Sequence, residues 1–244
     1  MRILVHICCA PCFGYIHKVL VNEGFDIVGY FFNPNIHPYQ EFLKRLHCLQ
    51  RYTSLRPVEI IYNRKYELEK YLVGALKAKY DTPSVHKIPP PQVAKPGGFQ
   101  DRVEVKDTLQ IKLTPKDKSK ASTESIKLEI GEAPATEIEE QRNNRDFNPR
   151  CGYCIGLRLA KTAEYAAKNG FEAFTTTLLE SKYQPHDEIR SMGAELAEKH
   201  GIEFYYKDFR EGWKESIKIS KDLELYRQQY CGCIFSEFER YRAQ

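Results

Sequence analysis

The chain has 244 residues, of which 42% are hydrophobic, and it carries a formal net charge of +4 at pH 7. This length and composition allow one sizeable hydrophobic core with a small appendage, and the mild positive charge is compatible with a nucleic-acid partner without requiring one. No apolar run approaches the roughly 20 residues that span a bilayer, and the N-terminus lacks the features of a signal peptide, so we expect a cytoplasmic protein with no membrane partner.

The first third of the chain is predicted to alternate strands with helices. Short β-branched and apolar runs predict strands, and an apolar face that repeats every three to four residues predicts helices. Pro34 and Pro38 break both helix and strand, which predicts a loop over residues 33–40. The predicted strands span residues 2–7, 26–32 and 58–62, and the predicted helices span residues 13–22, 41–54 and 66–79.

The composition changes between residues 86 and 148. This segment is polar, its only aromatic residues are Phe99 and Phe147, and parts of it alternate with the period of two that half-exposed strands show. We therefore expect a polar insertion over residues 86–148, either a small β excursion or a partly disordered segment. Residues 1–85 and 149–244 are expected to form a single α/β catalytic domain.

The last part of the chain returns to alternating strands and helices. Helices are predicted at residues 155–169, 185–200 and 212–221, and strands at residues 173–178 and 203–207. This alternation indicates an α/β fold with a parallel sheet and helical crossovers. In such open sheets ligands bind beyond the carboxyl ends of the strands, which is where the first three cysteines of this chain are expected to lie.

The eight cysteines are distributed unevenly along the chain. Seven of them fall in the short motifs CCxxC, CxxC and CxC, and these are Cys8, Cys9, Cys12, Cys151, Cys154, Cys231 and Cys233. In a cytosolic chain of this size, such clusters indicate metal binding or redox chemistry rather than a disulfide framework.

Two kinds of metal site fit the first two motifs. The spacings Cys9–Cys12 and Cys151–Cys154 are those of the paired knuckles of a structural zinc site. A zinc site leaves the adjacent Cys8 unexplained. A [4Fe–4S] cluster takes four cysteines on several irons, so it can use adjacent cysteines more readily.

The third motif indicates different chemistry. Two thiols separated by one glycine can close a small, strained disulfide, and strain raises the reduction potential of labile or catalytic disulfides. The alternative is that Cys231 and Cys233 also bind the metal.

Five stretches carry a resemblance to a known family. They are "HICCAPC", "GYFFNPNIHPYQEFLKRL", "RCGYCIGLRLAKTAEYA", "FTTTLLESKYQPHDEI" and "YRQQYCGCIFS". In these stretches, which belong to residues 2–80 and 149–236, the chain resembles the QueH-type epoxyqueuosine reductases. The resemblance implies reduction of epoxyqueuosine to queuosine in tRNA, on a Rossmann-like layered fold similar to the adenine nucleotide α-hydrolase (HUP-like) group.

The same resemblance implies the cofactors. The cysteines implied to hold a [4Fe–4S] cluster are Cys8, Cys9, Cys151 and Cys154. The pair implied to form a redox-active disulfide is Cys231 and Cys233. Family members can also carry a further iron beside the cluster, and Cys12 is our candidate ligand for it.

The implied partners are tRNA carrying epoxyqueuosine and an electron donor that the sequence does not identify. Arg150, Arg158 and Lys182 flank the cysteine motif or the site-facing strand, and they are our candidate substrate-binding residues. Basic side chains at such positions would contact RNA phosphates.

Two features depart from the family pattern. The insertion over residues 86–148 is longer than expected. The stretch CCAPC also stands where the α-hydrolase group often has a glycine-rich phosphate loop, so we do not predict ATP use. Two other functions stay open, namely a zinc-stabilised RNA-binding module that uses the same cysteines and a cluster-dependent tRNA thiolase.

Overall fold

The computed structural model describes residues 1–80 and 148–242. The predicted insertion lies outside the described residues, apart from Asn148 at its end. The described part contains a sheet of five parallel strands in the order β3-β2-β1-β4-β5. The strands are β1 (Arg2–His6), β2 (Asp26–Phe31), β3 (Glu59–Tyr62), β4 (Ala173–Thr176) and β5 (Glu203–Phe204).

Helices flank this sheet and give Rossmann-like layering, which confirms the predicted α/β class with its parallel strands. Helix α1 packs on α2 and α6, while α4 packs on α3 and α5. The helices are α1 (Ala10–Asn22), α2 (Tyr39–Leu55), α3 (Leu68–Tyr80), α4 (Pro149–Lys168), α5 (His186–His200), α6 (Trp213–Asp222) and α7 (Ile234–Tyr241). Two short 3-10 turns occupy Thr177–Glu180 and Arg210–Gly212.

The central strand β1 is apolar because both of its faces are covered. Ile3, Leu4 and Val5 are fully buried, as expected for the middle of a parallel sheet between helical layers. Its neighbour β2 contains Gly29, where a Cβ atom would lie 2.3 Å from Ile60 Cδ1 and 2.5 Å from Ile7 Cδ1. A side chain at this position would therefore force the ends of these two isoleucine side chains to move.

Two predicted helix starts were wrong and one helix was missed, and each of these errors concerns a cysteine motif. Helix α1 begins at Ala10 rather than residue 13, so Cys12 belongs to its first turn. Helix α4 begins at Pro149 rather than residue 155, so the CxxC motif lies inside the helix and not before it. Helix α7 was not predicted. We expected the CxC motif to lie beyond the last helix, but it directly precedes α7.

Within residues 1–80 and 148–242, no helix combines the length and apolar character needed to cross a membrane.

Candidate active site

Three cysteines converge directly after β1. Cys9 occupies the N-cap position of α1, where its extended backbone turns the chain into the helix. The sulfur of Cys9 lies 3.9 Å from that of Cys8 and 3.0 Å from that of Cys12, and all three sulfurs lie within 4.8 Å of one another. Two sulfurs bound at about 2.3 Å to one tetrahedral ion lie about 3.8 Å apart, which matches the Cys8–Cys9 distance and exceeds the Cys9–Cys12 distance. The grouping of three thiols is consistent with a metal or iron–sulfur site.

Polar groups from distant parts of the chain surround the triad. The Cys8 backbone N–H donates to Thr177 Oγ1 at 3.0 Å, and the Thr177 hydroxyl donates to Cys8 Sγ at 3.2 Å. Gln228 Nε2 donates to Cys9 Sγ at 2.9 Å. Hydrogen bonds from the Cys12 and Cys9 thiols lower the pKa of Cys8 well below its ordinary value. Cys8 is therefore the thiol of the triad that is held most readily as a thiolate.

Glu180 is a fully buried carboxyl group at the edge of the triad. It lies beside Cys12 and Ser216, but its carboxylate oxygens have no hydrogen-bond partner of normal geometry. Burial raises the pKa of Glu180 to about 7. An acidic residue thus lies next to the thiols, and it forms no ion pair within the described part of the chain.

The other CxxC motif is carried by the first turns of α4. Asn148 caps this helix, since its side-chain oxygen accepts from the Arg150 backbone N–H at 3.1 Å. Cys154 is buried and packs with Cys233 and Tyr71, while Cys151 is exposed. Neither cysteine belongs to the tight triad of Cys8, Cys9 and Cys12. Cys151 and Cys154 are close enough to interact electrostatically with each other and with Cys231, and we call Cys151 and Cys154 the second thiol group.

Arg158 lies between the two thiol groups. It is only 5% exposed, and its Nε donates to the Cys154 carbonyl oxygen at 3.0 Å. Burial acts to lower the pKa of Arg158, but the nearby thiols of Cys154 and Cys8 raise it above the ordinary value. A buried cation that faces both groups offsets the negative charge that several thiolates would bring to this place.

The segment that ends in the CxC motif, residues 226–233, folds back over the site, and we call it the cysteine loop. Its cysteines differ in environment, since Cys231 is exposed and Cys233 is buried. The Tyr71 hydroxyl donates to Cys233 Sγ at 3.4 Å. All eight cysteines are free in the structure. The loop is fixed by hydrogen bonds from Gln228 to Cys9, from Tyr226 to Glu41, from Tyr230 to His37, and from Arg45 to Tyr230 and Cys231.

The other candidate substrate residues have different surroundings. Arg150 is 8% exposed, donates to Glu239 at 2.9 Å, and lies over the ring of Phe235. Lys182 is exposed, and its ammonium group lies 5.1 Å from the ring centre of Tyr183 and 5.9 Å from that of Trp213. Of Arg150, Arg158 and Lys182, only Lys182 therefore presents its charge at the surface.

A cleft of about 300 Å³ opens beside Tyr71, at the carboxyl ends of β2 and β3. Aromatic rings and basic side chains share its lining, which is the mixture that takes an unstacked base and its phosphate. The lining residues are Tyr30, Phe32, Pro34, Asn63, Lys65, Glu67, Lys70, Tyr71, Leu157 and Lys161.

The sequence reasoning missed several residues that complete this site. Arg45 and Tyr71 lie on predicted helices, where an arginine or tyrosine is usually at the surface, yet both are buried. Thr177 and Gln228 carry no motif of their own. The available signal was that Arg45, Thr177 and Gln228 lie in stretches that carry the family resemblance, whereas Tyr71 lies in none of them.

Comparison with known proteins gives a consistent result. A family model described as "Epoxyqueuosine reductase QueH" matches residues 3–85 and 107–239. Its second part includes residues 107–148, so it covers much of the segment that we predicted as an insertion and leaves residues 86–106 unmatched.

Curated relatives with that same name match nearly the whole chain. The relative from Dehalococcoides mccartyi is 27% identical over 240 residues, which cover 98% of this chain and 94% of the relative. The relative from Thermotoga maritima is 26% identical, with 98% and 91% covered. The relative from Helicobacter pylori is 30% identical, with 96% of this chain but 48% of the relative covered.

Proposed function

This chain belongs to the QueH family of epoxyqueuosine reductases and is an oxidoreductase, and from this premise we propose that it reduces epoxyqueuosine in tRNA to queuosine with a [4Fe–4S] cluster and a redox-active cysteine pair. The observation that carries the proposal is the thiol triad at the carboxyl end of β1, joined by Gln228 to the cysteine loop. We also propose that the fold is similar to the adenine nucleotide α-hydrolase (HUP-like) group.

The proposed cluster ligands are Cys8, Cys9, Cys151 and Cys154, with Cys12 as the candidate ligand of a further iron. The donor set supports this assignment, since thiolates are the ligands that iron–sulfur clusters take and Arg158 is a buried counter-charge between the two thiol groups. When bound, the cluster passes single electrons and an iron with an open position polarises an oxygen. The proposed role of the chain's cysteines and of Arg158 is to hold the cluster in a buried position at the carboxyl edge of the sheet.

The proposed electron store is the pair Cys231 and Cys233. Converting the epoxide to an alkene and water consumes two electrons and two protons. Oxidising two thiols to one disulfide releases two electrons and two protons, so the two half-reactions balance. A reductant outside this chain must then return the disulfide to the dithiol. This reductant is the electron donor that the sequence does not identify.

The proposed substrate is tRNA that presents the modified nucleotide as an unstacked base. The cleft next to Tyr71 supports this, because it combines aromatic rings with lysines and adjoins the buried Cys233. Lys182, with Tyr183 and Trp213, is proposed to contact the RNA at the surface. Arg150 and Arg158 are buried and paired, so we propose that they act on the substrate through the thiols and the cysteine loop rather than as surface contacts.

The proposed reaction is tested by incubating the anaerobically purified chain with epoxyqueuosine-containing tRNA and a chemical reductant. Nucleoside mass spectrometry should then show queuosine, with a loss of one oxygen from the substrate. A colourless, zinc-containing preparation that binds tRNA without converting it would favour the zinc-stabilised RNA-binding module instead.

We expect Cys151→Ser to lose most of the bound iron and visible absorbance, because Cys151 is proposed to ligate the cluster. Iron content and the absorption spectrum of the anaerobic protein measure this. Cys48→Ser is the matched control, since Cys48 is a buried cysteine of α2 outside both thiol groups, and it should retain the iron. A full iron content in the Cys151→Ser protein would show that the ligand assignment is wrong.

Replacing either cysteine of the CxC motif should separate the cluster from the electron store. We expect Cys231→Ser and Cys233→Ser to retain iron and colour but to fail in multiple turnovers, because neither variant can store two electrons as a dithiol. Loss of iron in both variants would assign the pair to the metal site. Unchanged turnover would assign it a structural role.

A further inference from the structure

Arg45 lies in the middle of α2, yet its side chain is only 2% exposed. Its Nε donates to Glu41 Oε1 at 2.7 Å. Its Nη1 donates to the Cys231 carbonyl oxygen at 3.1 Å, and its Nη2 donates to the Tyr230 carbonyl oxygen at 2.9 Å. One guanidinium group therefore binds a carboxylate on its own helix and two consecutive carbonyls of the cysteine loop.

Gly232 packs against the same guanidinium group. Its φ of +103° is in the region that favours glycine, and a Cβ atom there would lie 3.1 Å from both Nη atoms of Arg45. The His37 backbone N–H donates to the Gly232 carbonyl oxygen at 2.7 Å. The backbone between the two redox cysteines is thus held by Arg45 and by the loop that contains His37.

The ion pair with Glu41 already neutralises the charge of Arg45. Glu41 is itself held in place, because its second carboxylate oxygen accepts from the Tyr226 hydroxyl at 2.5 Å. Because Glu41 fixes the orientation of the guanidinium group, its two Nη atoms point towards the cysteine loop. Lysine could keep the charge, but its ammonium group lacks the planar fork that reaches a carboxylate and two carbonyls together.

We propose that Arg45 is a positioning residue for the Cys231–Cys233 pair, holding the cysteine loop in the conformation of the dithiol and so favouring the reduced form over the disulfide. The inference rests on the proposed redox role of this pair. Every contact described above belongs to the form in which both thiols are free.

Stabilising the dithiol makes the pair easier to reduce. Closing the disulfide removes two protons and two electrons and draws the two sulfurs together across Gly232, whose backbone Arg45 holds. A pair that is easily reduced is one that an external donor can recharge after each turnover.

The test measures the dithiol–disulfide equilibrium in the full chain. Arg45→Lys keeps the charge, and a second variant combines Arg45→Met with Glu41→Gln so that no unpaired carboxylate is left buried. Arg51→Ala is the matched control, because Arg51 is an exposed arginine of α2 that contacts Leu223 and Glu224 just before the cysteine loop. Each protein is equilibrated anaerobically with glutathione and glutathione disulfide, and the two forms are quantified by alkylation and mass spectrometry.

We expect both Arg45 variants to shift the equilibrium constant about tenfold towards the disulfide, which is about 30 mV for a two-electron couple. Arg51→Ala should keep the value of the unmodified chain. Amide hydrogen exchange over residues 226–233 should become faster in the Arg45 variants and stay unchanged in Arg51→Ala. Hydrogen exchange reports how firmly the backbone of the loop is held, and it does so separately from the dithiol–disulfide equilibrium.

Three results would overturn the inference. Arg45→Lys with unchanged exchange and an unchanged equilibrium would show that charge alone suffices. Faster exchange with an unchanged equilibrium would show that the position of the loop does not set the redox balance. If the unmodified pair forms no disulfide at any glutathione ratio, its redox role fails together with this inference. If the pair titrates as expected but the chain does not reduce epoxyqueuosine in tRNA, the proposed function fails while the role of Arg45 stands.

Discussion

At the residue scale, two glycines with positive φ have different surroundings. Gly232 in the cysteine loop touches Ile36 and Arg45, whereas Gly201 ends α5 with no atom within 4 Å of where its Cβ would lie. A side chain at Gly201 would therefore destabilise the fold by about 1 kcal/mol through backbone strain alone. At Gly232 a side chain would add a steric clash to the same backbone strain.

We expect Gly232→Ala to abolish turnover while retaining iron, because the added methyl group displaces the guanidinium group that holds the loop. Gly201→Ala should lower the free energy of unfolding by about 1 kcal/mol and leave turnover unchanged. Single-turnover and multiple-turnover assays with iron analysis distinguish the two variants. Equal activities in both would show that the backbone conformation at Gly232 does not affect the reaction.

At the scale of elements, helix α4 links helix capping to the proposed metal site. The cap of Asn148 satisfies a backbone N–H in the first turn, and that turn carries Cys151. Losing such a cap costs about 1 kcal/mol and frays the first turn. The Asn148 cap therefore helps to fix the position of Cys151, a proposed cluster ligand.

Asn148→Ala should release iron faster than the unmodified chain when the protein is exposed to a chelator, because Cys151 is then held less firmly. Asn148→Asp keeps a capping oxygen and should restore the slower release. The measurement is the rate of loss of visible absorbance under anaerobic conditions. Identical rates in the two variants would separate the cap from the metal site.

The order and type of these elements could be predicted from periodicity, but the start of α4 could not be placed by that pattern alone. The residues of its first turn carry the CxxC motif, which interrupts the apolar repeat, although Asn148 followed by Pro149 is a helix-start signal. Helix α7 was missed because its eight residues make only about two turns, which is too short for a clear apolar repeat. The burial of Arg45 was also unpredictable, since its carbonyl partners lie 185 and 186 residues away.

At the scale of the whole molecule, the segment between α3 and α4 is defined by sequence alone. Residues 90–136 include only one aromatic residue, Phe99, so they have little with which to join the core. The family model nevertheless matches from residue 107 onward. The composition indicates that the core does not need residues 90–136, whereas the family match indicates that residues 107–136 belong with the rest of the chain.

We expect a chain that lacks residues 90–136, bridged by a short flexible linker, to fold and to retain its iron. A chain that lacks only residues 86–106, which the family model leaves unmatched, is the control. Thermal unfolding and iron content are compared for both. Loss of iron in the longer deletion alone would assign residues 107–136 to the catalytic unit.

The contact between Gln228 and Cys9 joins residues that are 219 positions apart. On the ribosome, the thiols of Cys8, Cys9 and Cys12 are made before Gln228, so more than 200 residues are added before the cysteine loop can cover them. At about 5–20 residues per second, that interval is on the order of ten to forty seconds. During translation the triad is thus exposed to oxidants and to competing metal ions until the cysteine loop has been made and can cover it.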